Sequence, residues 1–147
     1  SGHAALQENY FLDDGAYLAA KIVIRAARLK RKGKPISSVL ADLEDPADEK
    51  EVRIPIRTED FGAYGDQVLS DLKDWVKTQD GMTLTEPNYE GVRIDFGDGW
   101  CLLRKSLHDP ILPMNMASDQ EGGCQAIEKV MKSFLNQYEK LGLEGVL

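Results

Sequence analysis

Residues 91–118 read GVRIDFGDGWCLLRKSLHDPILPMNMAS. Val92, Ile94 and Phe96 alternate with Arg93 and Asp95, the period of two expected of a strand with one buried face. Gly97-Asp98-Gly99 supplies the positive φ that a tight hairpin turn needs. A second strand, Trp100 to Arg104, follows. A third, Ile111 to Ala117, carries Pro113, which points to an edge or a bulge because proline has no ladder donor. Between the second and third strands lies Lys105-Ser106-Leu107-His108-Asp109-Pro110. Arg104, Lys105, Ser106 and His108 gather a guanidinium, an ammonium, a hydroxyl and an imidazole at a strand end, a set suited to an anion. An ordinary polar loop, with Arg104 in a surface ion pair to Asp95 or Asp98, is the other reading of the same residues.

Working outward, Glu51 to Ile56 alternates Val52, Ile54 and Ile56 against Arg53, with Pro55 marking an edge strand. Asp60 to Thr78 carries Tyr64, Val68, Leu72, Trp75 and Val76 at helical spacing. Ser118 and Glu121 have the spacing of a capping box. They open a helix from about Gly122 to Leu141, whose Ile127, Val130, Met131, Phe134, Leu135, Tyr138 and Leu141 form a core stripe. Residues 51–147 therefore predict an α+β domain, a four-stranded, mostly antiparallel sheet with two helices on one face.

Residues 1–44 read as a helical segment. Tyr10, Phe11 and Leu12 are expected to pack. Asp13 and Asp14 stand at a helix start, where carboxylates suit the positive end of the dipole. Leu18, Ile22, Ala26 and Leu29 repeat along a helix from about Gly15 to Lys32. Gly33 and Pro35 end it, and a short helix follows from Pro35 to Leu43. Residues 45–50 are acidic, aperiodic and contain Pro46, so they predict a linker between two domains.

The chain has 147 residues, 42% hydrophobic and 29% charged, with a net charge of −7. That acidity argues against nucleic acid or an anionic membrane as general partners. Neither Cys101 nor Cys124 has a metal spacing with the other or with His3 and His108. Cys101 sits on the apolar side of its strand, which predicts a buried free thiol and a reduced, cytoplasmic protein. The first residues, Ser1-Gly2-His3, suggest a piece of something longer.

Ser1-Gly2-His3 followed by Glu8-Asn9-Tyr10-Phe11-Leu12-Asp13-Asp14-Gly15 resembles the α-D-phosphohexomutase family, in its bacterial phosphomannomutase/phosphoglucomutase branch. There a Gly-Glu-x-Ser-Gly-His loop reads sugar hydroxyls ahead of an aromatic segment and an acidic helix start in the third domain. Gly99 to Ser106 resembles the strand that enters the phosphate loop of the fourth, C-terminal domain, Arg-x-Ser-(Gly or Asn)-Thr-x-Pro. Arg104, Ser106 and Pro110 agree with that loop; Leu107 and His108 depart from it.

The resemblance implies that residues 1–44 end the third domain and that 51–147 form the C-terminal phosphate-binding domain. It implies a parent enzyme that interconverts hexose 1-phosphate and 6-phosphate, with an active-site phosphoserine and Mg²⁺ held by upstream domains and not by this chain. Ser1 and His3 would meet the sugar. Arg104, Ser106, Lys105 and His108 would hold the substrate phosphate, and the C-terminal domain would close over it. The chain alone would contain no catalytic residue. A phosphorylated hexose and the upstream domains are the implied partners. The alternative, prompted by Leu107 and His108, is a non-catalytic interaction or regulatory module from a degenerate family member.

Overall fold

The structure, a computed structural model, describes residues 4–147, so Ser1 and His3 lie outside the described residues. The chain divides into two units, one ending at Glu44 and the other running from Asp45 to Leu147.

In the first unit, helix α1 spans Gly15–Lys30, and the Asp14 carboxylate accepts a hydrogen bond from the Tyr17 N–H at 2.9 Å. A 3-10 turn, Ile36–Leu40, follows. Ile22, Ile36, Val39 and Leu40 line an open groove between the two, and neither element has a buried residue. Tyr10, Phe11 and Leu12 are exposed rather than packed, and Tyr10 and Phe11 both adopt left-handed backbone.

The second unit is α+β. Its strands are β1 (Asp48–Pro55), β2 (Thr83–Leu84), β3 (Val92–Asp95), β4 (Gly99–Leu103) and β5 (Ile111–Ser118). They form one antiparallel sheet in the order β1-β5-β4-β3-β2. The sheet thus has five strands, not the four expected. The extra one, β2, is two residues long, too short to display alternation. Asp48, Glu49 and Lys50 are not linker: they pair with Ser118, Ala117 and Met116 and open β1. Their charges conceal a strand because this end of β1 needs no continuous apolar face.

Both prolines are explained by their places in the ladders. A strand residue's N and C=O point to the same side. The Pro55 carbonyl accepts from the Gly142 N–H at 2.8 Å, so its missing donor faces the outer edge, as an edge strand allows. Pro113, however, lies on β5, which is an interior strand. Its carbonyl accepts from the Arg104 N–H at 3.0 Å, and the reciprocal bond is impossible, so the β4 ladder ends at Leu103.

One sheet face carries Val52, Ile54, Val92, Ile94, Cys101, Leu103, Leu112, Met114 and Met116, all buried. Helices α2 (Phe61–Val76) and α3 (Gly123–Leu135) cover it with Val68, Leu72, Ile127, Met131 and Leu135. Burying each such side chain contributes about 1.5–3 kcal/mol. The opposite face presents Glu51, Arg53, Arg93, Trp100, Leu102 and Asn115.

Helix α3 stops at Leu135, short of the expected Leu141. The chain turns instead to run along β1, where Ile56 bridges Leu141 and the Arg57 N–H donates to the Lys140 carbonyl at 2.7 Å. Covering an otherwise unpaired edge outweighs one more turn of helix. The capping box is also absent. Ser118 Oγ accepts from the Gln120 N–H and donates to the Asp98 carbonyl, while Asp48 of β1 accepts from the Cys124 N–H at 3.0 Å.

Candidate functional site

The loop from Arg104 to Pro110 leaves the end of β4 where its pairing lapses. Ser106 shapes it: its N–H donates to the Ile111 carbonyl at 3.1 Å, and its Oγ accepts from the Asp109 N–H at 3.2 Å. A hydroxyl turn of this kind closes the loop locally. No residue from 104 to 110 takes a positive φ, consistent with the absence of glycine there. His108 and Leu107 are exposed, Leu107 at 84%.

Arg104 and Lys105 are separated by the pleat. Continuing the alternation of β4, Leu103 is in the core, Arg104 falls on the open side with Leu102, and Lys105 turns back toward α2. Lys105 Nζ lies 2.6 Å from Asp66 Oδ1 and donates to the Gly62 carbonyl at 3.3 Å. Its stem crosses Gly65, where an added Cβ would approach Lys105 Cδ to 3.0 Å. Arg104 Nη1 stands 3.4 Å from Glu90 Oε1. Its partner is therefore Glu90, not Asp95 or Asp98.

Gly91 brings that glutamate into place. A Cβ there would lie 2.3 Å from the Leu103 carbonyl oxygen and 2.8 Å from Arg104 Cβ, and its φ is +63°. Asn88 Nδ2 donates to the Gly91 carbonyl at 2.8 Å and secures the turn. Gly65, Gly91, Asp66 and Glu90 were not legible as site residues. Their only signal was a glycine-carboxylate adjacency, far too common to single out.

On the open face beside Arg104, the Arg53 Nε–H donates to Glu51 at 2.7 Å and Asn115 donates to its second oxygen at 2.9 Å. These bonds, with a smaller contribution from nearby Arg104, hold the Glu51 carboxyl below the usual range. The Arg93 guanidinium lies 4.0 Å above the Trp100 ring. Cys101 is free and buried as read from the sequence, Cys124 is free and buried as well, and burial pushes the Cys101 thiol up to about 12.

Two chemistries are bounded by the described residues. None of their helices is long and apolar enough to cross a membrane. No group of three or more His, Cys, Asp or Glu among them could hold a metal, so the Mg²⁺ implied by the resemblance has no fitting donor set here.

An antiparallel α+β domain with a cationic loop at an inner strand end is the class defined so far. No family model matches the chain. Among curated proteins, it is 27% identical over 141 residues to the phosphomannomutase/phosphoglucomutase of Pseudomonas putida, covering 95% of this chain and 28% of that protein. It is 30% identical over 139 residues to the enzyme of the same name from Pseudomonas aeruginosa, covering 93% and 27%. Against the phosphoglucomutase of Neisseria meningitidis the figures are 27% over 142 residues, 96% and 29%. A crystal structure of a phosphoglucomutase/phosphomannomutase family protein from Burkholderia thailandensis shares the fold, with a TM-score of 0.66 and 19% identity over 99% of this chain and 28% of that one. The chain is thus similar to phosphomannomutases and phosphoglucomutases, and it spans under a third of the length of the curated relatives it matches.

Proposed function

We propose that this chain is the C-terminal portion of a phosphohexomutase that interconverts the 1- and 6-phosphates of mannose or glucose, and that its second unit holds the substrate phosphate. The observation that carries the reading is Arg104. Its guanidinium stands at the end of β4, on the open side of the sheet, beside the Ser106 turn and the exposed His108. A guanidinium presents two parallel N–H donors to two phosphate oxygens, a geometry that an ammonium lacks. Ser106 contributes its hydroxyl hydrogen, since its oxygen already accepts from the loop backbone. His108 adds a ring N–H.

Lys105 takes a different part. Tied to Asp66 and Gly62, it fastens the loop to α2 and adds positive potential behind the site. Anchoring a phosphate at the end of the sugar that does not react would direct remote binding energy into orienting the reacting end. Closure of the second unit over the sugar would exclude water. Phosphoryl transfer and Mg²⁺ belong, on this reading, to upstream domains, and Ser1 and His3 to the sugar contact.

The test is steady-state conversion of mannose 1-phosphate and glucose 1-phosphate by the parent protein that contains this chain. Arg104→Ala is expected to raise KM and lower kcat/KM by about tenfold to a hundredfold, the loss of one charge-assisted contact of roughly 1.5–3 kcal/mol. A parent protein that turns over neither sugar phosphate, or an Arg104→Ala variant with unchanged kcat/KM, would overturn the proposal.

A further inference from the structure

The loop's principal cation is already occupied. Arg104 is 30% exposed and meets Glu90, which is 65% exposed, through one nitrogen at 3.4 Å. This contact is long for a charge-assisted bond and uses one donor of the guanidinium fork. The other carboxylate near Arg104 is Glu51, whose two oxygens are taken by Arg53 and Asn115. Glu90 has no partner besides Arg104 among the described residues. It is delivered there by Gly91, whose close approach to Leu103 and Arg104 leaves no space for a side chain.

We propose that Glu90 is an exchangeable counter-ion for Arg104 and thereby sets the affinity threshold that an anion must exceed to occupy the loop. This inference rests on the phosphate-binding reading above. Any ligand must displace Glu90. A phosphate dianion offers two oxygens to the guanidinium fork together with greater charge, and so replaces one loose contact by two short ones. A singly charged carboxylate offers little that Glu90 does not already supply from a tethered position. Glu90 therefore lowers the affinity for every anion by the same factor, set by how often Arg104 is free of it, and this leaves the weak ones below useful binding at a given concentration.

The experiment is titration of the chain with inorganic phosphate and with acetate, at about pH 8 and constant ionic strength, followed by amide shifts of residues 104–109. Three proteins are compared: the natural sequence, Glu90→Gln, and Asp74→Asn. Asp74 pairs with Lys77 at the far end of α2, so its variant makes the same change in net charge away from the loop. Glu90→Gln is expected to tighten phosphate by about twofold to fivefold, the range for loss of an exposed ion pair, and to bring acetate binding into range. Asp74→Asn is expected to change neither.

Equal phosphate affinity in Glu90→Gln and the natural sequence would overturn the counter-ion role while leaving the phosphate reading standing. Equal tightening by Asp74→Asn would also overturn it, as an effect of net charge alone. Absence of phosphate binding in all three proteins would overturn both.

Discussion

Replacing Gly91 by alanine tests the packing on which the loop depends. The residue has φ +63°, and a Cβ would fall 2.3 Å from the Leu103 carbonyl oxygen and 2.9 Å from Arg104 Cα. Both neighbours are backbone of β4 or its extension, so no flexible side chain can move aside. Left-handed backbone costs an L-residue about 1–2 kcal/mol. Forcing a methyl into filled space adds about 1–3 kcal/mol. Restricting the unfolded chain returns about 0.4–1 kcal/mol. The net expectation is a loss of about 2–3 kcal/mol from the second unit.

Trp75 and Trp100 both lie in that unit, so their fluorescence during urea unfolding reports it alone. With a slope of about 1–1.5 kcal/mol per molar for a domain of this size, the midpoint should fall by roughly 2 M. Gly81→Ala separates the two contributions, because Gly81 has φ +78° but nothing within 4 Å of the place a methyl group would take. It should lose only about 1 kcal/mol. A Gly91→Ala midpoint within about 0.3 M of the natural one, or equal losses for the two variants, would refute the steric argument.

Two further outcomes follow from the same contacts. Asp48→Ala should destabilise the second unit by about 0.5–2 kcal/mol in a thermal melt, through loss of the bond to the Cys124 N–H, whereas Glu121→Ala should stay within about 0.5 kcal/mol. Glu51 has a folded-state pKa below its unfolded value, so its contribution is present above about pH 4–5 and fades as pH falls through the folded pKa. Glu51→Gln should accordingly flatten the stability profile in that acid range and leave its neutral-to-basic limb unchanged, as read by urea midpoints across pH.

Much of the second unit was legible because its burial is periodic. Val92, Ile94, Cys101 and Leu103 alternate, and Val68, Leu72, Ile127 and Met131 recur at helical spacing, so each segment announces which side it buries. Four of the five strands, the two helices and the cationic residues at the β4 terminus were all readable from these local patterns. What escaped depended on partners distant in sequence. Asp48 caps a helix that begins at Gly123, residues 140–142 cover the β1 edge, and a two-residue strand exists only because β3 is there to pair with it.

The site divides the same way. Composition and spacing alone assembled Arg104, Lys105, Ser106 and His108 as one group, since adjacent residues cannot avoid being neighbours in the chain. The pleat sends Arg104 and Lys105 to opposite faces, but only the tertiary structure gave them Glu90 and Asp66 as separate counter-ions. The physical reason is range. Periodicity and turn chemistry act over a few residues and are written locally, whereas an ion pair, a long-range cap or a covered edge depends on which surfaces the core brings together.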